Sequence, residues 1–224
     1  MHMTAHNLPA TAGNHDLRAR LALDGEPSEV PVSLHVPDTP QGAPLVIVLH
    51  YGGPPVGYYG RGLLEQLVLP AWRDLGAVYA APVLRGDAWQ SLDNKAAVRA
   101  LVAACHAHYG TDSRSCYLVG YSLGAIGAWH WLAERTHPFS AVVPVAGRVP
   151  DDLARFDTPT YALHSTADRL FPSDAVIARC EALRAAGSPL HWRVLDGIDH
   201  FNVGGYRHAL AALVDSLPGR PAQR

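Results

Sequence analysis

The sequence predicts an α/β fold: an open, mostly parallel sheet of about eight strands with helices on both faces. Three observations carry this. Short apolar runs alternate with longer helical patterns along most of the chain. The runs are continuous rather than alternating, as in strands buried on both faces. Their connections are short, which makes each crossover helix pack back on the sheet. At 224 residues a chain can bury roughly 70% of its unfolded surface, and the length suggests a single domain, 1–224, with residues 1–15 as a flexible N-terminus.

The elements follow in order. Val30, Val32, Leu34 and Val36 share one face of an alternating strand, and 18–23 is expected to pair with it as a hairpin. The run 45–49 (LVIVL) is the first doubly buried strand, and similar runs lie at 77–81, 116–120, 141–146, 160–164 and 191–195. Helical patterns fill the gaps. Leu63, Leu64, Leu67 and Val68 form one apolar face; Ala96, Ala97, Ala100, Leu101 and Ala104 form another, with Ser91 or Asp93 as N-cap. Further helices are expected over 123–135, 174–186 and 206–217.

Composition narrows the partners. A formal net charge of −2 supplies no field that would draw in nucleic acid or an anionic membrane. Three cysteines, Cys105, Cys116 and Cys180, do not make a disulfide framework, and a reducing compartment is expected. The first twenty residues lack the apolar run of a signal peptide, and no stretch reaches the roughly 18 apolar residues of a membrane span, so a cytoplasmic location is expected. Cys105-His106 with His108 has no second ligand cluster and is read as a helix face, not a metal site.

Ligands of an open parallel sheet bind at the carboxyl ends of its strands, so the residues after each strand matter most. After 116–120 comes Gly120-Tyr121-Ser122-Leu123-Gly124. A strand–turn–helix junction this tight needs small flanking residues and lifts the serine above the sheet. A serine hydroxyl needs a base to become a nucleophile. Among thirteen histidines, His200 alone lies in the loop after the last strand. A carboxylate must hold that imidazole in one tautomer. Asp168, in the loop after 160–164, is preferred over Asp151 and Asp152 in the loop before it, and over Asp199, which adjoins His200 and is poorly placed to reach its ring. For the oxyanion of an acyl-transfer intermediate, one donor is expected from the amide of Leu123 and another from the loop His50-Tyr51-Gly52-Gly53-Pro54-Pro55. That loop lacks the Gly-Lys-Ser/Thr of a phosphate cradle. His50 is expected to support the loop instead of carrying a proton.

With its Leu-His-x-Gly-Gly loop, its G-Y-S-L-G elbow, H-S-T-A-D-R-L-F-P and terminal G-I-D-H-F, the chain resembles α/β-hydrolases of the carboxylesterase, dienelactone-hydrolase and prolyl-oligopeptidase-like group. The likeness spans 45–217, and Ser122, Asp168 and His200 stand in the family's chain order. Arg85-Gly86-Asp87-Ala88-Trp89 is similar to a segment of small feruloyl-esterase-like proteins. The resemblance implies the α/β-hydrolase fold and a serine esterase that takes a small-molecule ester and uses no metal or organic cofactor. Catalytic Ser122, Asp168 and His200 are implied, with an oxyanion hole from Leu123 and either Gly52 or Tyr51, the latter by amide or hydroxyl. Only thirteen residues separate the strands 141–146 and 160–164, which leaves no room for a cap domain. Tyr58, Trp89, Phe171 and Phe201, with Tyr59, are candidates to line a substrate pocket. A peptidase, or an acyltransferase or perhydrolase, would use the same triad; a non-catalytic binding protein would not need all of it.

Overall fold

A computed structural model describes residues 7–23, 25–53 and 57–219 of the protein. Eight strands form one sheet: β1 (Gly13–Leu23), β2 (Glu26–Val36), β3 (Leu45–Leu49), β4 (Val78–Pro82), β5 (Cys116–Tyr121), β6 (Ala141–Val145), β7 (Thr160–Ser165) and β8 (Leu190–Leu195). Their spatial order is β1-β2-β4-β3-β5-β6-β7-β8. β1 pairs antiparallel with β2 in full register from Gly13–Val36 to Leu23–Glu26, and β2 pairs antiparallel with β4; the other five pairings are parallel. All residues of β3, β4, β5 and β6 are buried, so the continuous apolar runs mark strands covered on both faces.

Alternate side chains of these strands feed two separate cores. Leu45, Ile47, Leu49, Cys116 and Leu118 face α3 (Leu92–Tyr109), α4 (Leu123–Trp131) and α5 (Ser173–Ala185). Val46, Val48, Tyr117, Val119 and Tyr121 face the opposite layer. That layer holds α1 (Tyr59–Leu63), a π-helical turn at Leu64–Val68, α2 (Leu69–Trp72) and α6 (Arg207–Ala211). A one-residue slip of any central strand would exchange its contributions to the two cores, and burying one Val, Leu or Ile is worth about 1.5–3 kcal/mol, so the register is firmly set. The Ser91 side chain caps α3 by accepting from the Asn94 amide.

Two expectations need correction. Of the expected flexible N-terminus, 1–6 lie outside the described residues, but from Asn7 onward the segment is tied down. The Asn7 side chain bonds the Arg18 carbonyl and the Arg20 amide, Leu8 is buried, and Pro9 O accepts from the Tyr109 hydroxyl. The continuous helix expected over 206–217 is broken into a 3₁₀ turn (Val203–Tyr206), α6 and a second 3₁₀ turn (Val214–Ser216). The reason lies at Leu210. Its carbonyl accepts from the Trp72 indole at 2.7 Å and takes the Leu213 amide in a tightened turn, so the regular ladder stops there.

The topology selects a place for a site. From β3 the chain moves outward to β4, then returns past β3 to β5. The loops after β3 and β5 therefore diverge in opposite directions, leaving a crevice at the carboxyl ends of these two neighbours, the switch point of the sheet. The fourteen residues 146–159 between β6 and β7 contain no helix, so no helical cap covers the crevice from there.

Candidate active site

One residue, Ser122, joins β5 to α4, with φ 55° and ψ −114°. That conformation costs a non-glycine residue about 1–3 kcal/mol, and the surroundings enforce it. The Ser122 amide donates to Val145 O (2.9 Å) and its carbonyl accepts from the Ile126 amide (3.1 Å). A methyl group on Gly120 would collide with the Gly124 carbonyl, and one on Gly124 with the Leu49 carbonyl. The glycines of the motif thus let the start of α4 press onto β3 and β5, and that pressure holds the serine above the sheet. As the first residue of α4, Leu123 has an amide with no intrahelical acceptor, at the positive end of the helix.

Ser122 Oγ lies 2.9 Å from His200 Nε2, and His200 Nδ1 lies 2.7 Å from Asp168 Oδ2. All three side chains are buried. A carboxylate only accepts hydrogen bonds, so Nδ1 carries the proton and the Nε2 lone pair faces the serine hydroxyl. The other Asp168 oxygen, Oδ1, accepts from the amides of Leu170 and Phe171, each at 2.9 Å. The rival carboxylates are engaged elsewhere or face solvent: Asp199 accepts from the Phe201 amide, and Asp151 and Asp152 are exposed.

Further contacts bind the acid and histidine loops to each other. Ser165 Oγ accepts from the amides of Ala167 and Ile198, and the Thr166 hydroxyl donates to Asp196. Tyr121, inside the elbow motif, donates its hydroxyl to the His200 carbonyl at 2.7 Å, and burial raises its phenol well above the ordinary value. His164, four residues before Asp168, donates from Nε2 to the Phe171 carbonyl at 2.7 Å. Burial pushes its imidazole below the usual range, against the opposing pull of that carbonyl and of Asp168.

A cavity of about 470 Å³ opens over Ser122 and His200, within the usual size for a small-molecule site. Of the sequence candidates, Phe171 and Phe201 line it, together with Tyr51, Gly52 and Leu123. Three candidates, Trp89, Tyr58 and Tyr59, do not. Trp89 is fully buried behind the β3 loop, with its indole N–H donated to the His50 carbonyl at 2.9 Å and its ring edge-on to the His50 imidazole. Tyr58 stands at the entry to α1, outside the cavity. Sequence reasoning missed Gln66, Tyr121, Ile126, Leu170 and Val203. Tyr121 and Ile126 were within reach, since one sits in the elbow and the other a helical turn beyond Ser122; Gln66 carries no such signal.

In the loop after β3, Pro54 and Pro55 lie outside the described residues. Gly52 sits on Leu123: a Cβ there would be 3.3 Å from the leucine Cδ2. Tyr59 reaches the loop instead of the cavity, packing edge-on against Tyr51 and under Gly53. His50 braces the loop from below, donating from Nδ1 to the Tyr51 carbonyl (2.7 Å) and accepting the Leu84 amide at Nε2 (3.0 Å). Both nitrogens are used by the neutral ring, and burial lowers its pKa.

By sequence the chain matches no family model and no curated protein. Solved structures with a similar course are numerous. An α/β-hydrolase-type protein of unknown function from Agrobacterium tumefaciens superposes with a TM-score of 0.73 at 18% identity, over 92% of this chain and 100% of that one. A thermophilic esterase from Thermogutta terrifontis, with propionate bound, gives 0.69 at 17%, over 96% and 98%. A thermostable esterase gives 0.69 at 19%, over 88% of this chain and 61% of its own length. The chain has the α/β-hydrolase fold. In this α/β-hydrolase scaffold the elbow serine, the loop after β3, the acid loop after β7 and the histidine loop after β8 share the rim that the strand order selects. No helix among the described residues is long and apolar enough to cross a membrane.

Proposed function

We propose that the protein is a serine hydrolase of carboxylic esters that works through an acyl-enzyme. The observation that carries this reading is the unbroken chain of contacts from Ser122 Oγ through His200 to Asp168, with its hydroxyl end open to an uncharged, largely apolar cavity. Ser122 attacks the ester carbonyl as His200 Nε2 takes its proton. Asp168 holds the imidazole orientation and stabilises the imidazolium. The carbonyl oxygen becomes an oxyanion, which the Leu123 amide and a donor from Tyr51 or Gly52 stabilise; each such donor is worth about 3–4 kcal/mol in the barrier. When the tetrahedral intermediate collapses, the ester C–O bond breaks, His200 returns the proton to the leaving alkoxide, and an acyl-serine remains. Water, deprotonated by the same histidine, adds to the acyl carbon; Ser122 Oγ leaves and regains its proton, freeing the carboxylic acid.

The test is turnover of p-nitrophenyl esters of graded acyl length by the parent and by Ser122→Ala, with mass-spectrometric mapping of the serine labelled by an aryl phosphonate. Loss of turnover in the variant and labelling at Ser122 are expected. Equal rates for the two proteins, or labelling at another serine, would overturn the assignment.

A further inference from the structure

The helix that opens the layer beside the cavity is irregular. Between α1 and α2 the chain makes a π-helical turn, Leu64–Val68. An added residue in a turn of this kind re-aims side chains and is common near functional sites. Leu64, Leu67 and Val68 stay in the core, while Gln66 turns to the cavity wall. Its main chain is fixed: the Gln66 carbonyl accepts from Arg207 Nε at 2.5 Å. Its carboxamide lies near the Tyr51 hydroxyl: a Cβ built on Gly62 would stand 3.1 Å from the Tyr51 oxygen and 3.5 Å from Gln66 Nε2.

The rest of the lining sharpens the point. Leu123, Ile126, Leu170, Phe171, Phe201 and Val203 are apolar, and no Asp, Glu, Lys or Arg is among the described residues that line it. A charged substrate group would meet no counter-charge. Ser122 and His200 belong to the relay, and the Tyr121 hydroxyl is spent on the His200 carbonyl. What remains to recognise polarity is the Gln66 carboxamide beside the Tyr51 phenol. Gln66 is also tied, through Arg207, to the segment that follows His200. Since His200 must hand its proton to the leaving oxygen, the alcohol portion of an ester lies toward that segment.

We propose that Gln66 is a specificity-determining residue that hydrogen-bonds an uncharged polar group, such as a hydroxyl, on the alcohol portion of the ester. The inference rests on the serine-hydrolase reading above and selects esters of hydroxylated alcohols over esters of simple alkanols. A carboxamide both donates and accepts, as a hydroxyl does, so one alcohol group satisfies it. A neutral hydrogen bond from a side chain that is exposed until the bound ester covers it gives a preference of about 5- to 10-fold.

The experiment compares 2-hydroxyethyl butyrate with propyl butyrate, two esters of one acid with equal numbers of heavy atoms, by pH-stat, for the parent, Gln66→Leu and Gln66→Asn. Dividing the parent's ratio of kcat/KM values by the variant's cancels the intrinsic difference between the leaving groups. The ratio should fall about 5- to 10-fold in Gln66→Leu and less in Gln66→Asn. The loss should lie in kcat/KM and not in breakdown of the shared butyryl-enzyme, because the alcohol has left by then. An unchanged ratio overturns the proposal, as does a loss that resides in deacylation. So does a Gln66 effect confined to pairs differing in the acid, such as 4-hydroxybutyrate against pentanoate esters of one alcohol. Phosphonate labelling of Ser122 in each variant reports a folded site. A parent that is neither labelled at Ser122 nor active on p-nitrophenyl butyrate fails the underlying reading; a labelled, active parent with an unmoved ratio fails this inference alone.

Discussion

Replacing Asp168 by Asn separates the carboxylate's electrostatic work from its structural work. Asn is nearly isosteric, and its carbonyl oxygen can still accept the Leu170 and Phe171 amides that hold Oδ1 at 2.9 Å. The remaining NH₂ then faces His200 Nδ1, where Oδ2 stood at 2.7 Å. Two donors cannot share that contact, so the imidazole moves its proton to Nε2, and the atom that should take the Ser122 proton now carries one. A triad aspartate replaced in this way in a known serine protease loses about 10⁴ in kcat, which is about 5 kcal/mol of barrier. The same loss is expected here in kcat for p-nitrophenyl butyrate near pH 7.5, with thermal stability close to the parent's. Asp168→Ala should be as inactive and also less stable by roughly 2–4 kcal/mol, because the Leu170 and Phe171 amides lose their acceptor. A fall in kcat of less than tenfold in Asp168→Asn would refute the tautomer argument. A comparable fall in Asp151→Asn or Asp152→Asn, with Asp168→Asn active, would move the acid to the preceding loop.

Ser122→Gly should be inactive yet melt a few degrees above the parent by calorimetry, since release of the positive-φ strain, about 1–3 kcal/mol, exceeds the added chain entropy of glycine; an unchanged or lower melting point would contradict strain at the elbow. Thiol alkylation should leave activity intact, because all three cysteines are buried and burial pushes Cys105 and Cys180 up to about 12, leaving roughly one thiolate in 10⁴ at pH 8; rapid inactivation by iodoacetamide would refute that environment. Acid should destabilise the fold through His50 and His164, whose folded pKa values lie below the unfolded 6.5. The unfolded chain then binds more protons, so this stability is complete above pH 6.5 and lost below it, at up to about 1.4 kcal/mol per pH unit for each group. Urea midpoints at pH 7.5, 6.5 and 5.5 check this, and a midpoint that holds or rises on acidification would contradict it.

How far the sequence could be read depended on whether local chemistry or distant packing decides a position. Leu45–Leu49 and Ala141–Val145 are legible because a strand covered on both faces has no polar positions to spare. The first half of β1 is not. Gly13, Asn14, His15 and Asp16 look like a tail, yet they pair residue by residue with β2 through backbone bonds that any side chain permits. Ser122, Asp168 and His200 stand out because each follows a strand on the rim where ligands bind in such sheets. Their supports Ser165 and His164 do not, because no local motif marks the partners they find 33 and 7 positions along the chain. Trp89 shows the same limit from the other side. An aromatic residue near a strand end looks like a pocket wall, but here the His50 carbonyl offers its indole a buried acceptor, and the Gly127 backbone leaves the space its ring needs. Gln66 reaches the cavity from within a π turn, and the repeat of Leu63, Leu64, Leu67 and Val68 reads the same with or without one. The pattern of apolar residues therefore specifies the scaffold and the rim, while the shape of the cavity above that rim is set by single irregular turns that periodicity cannot register.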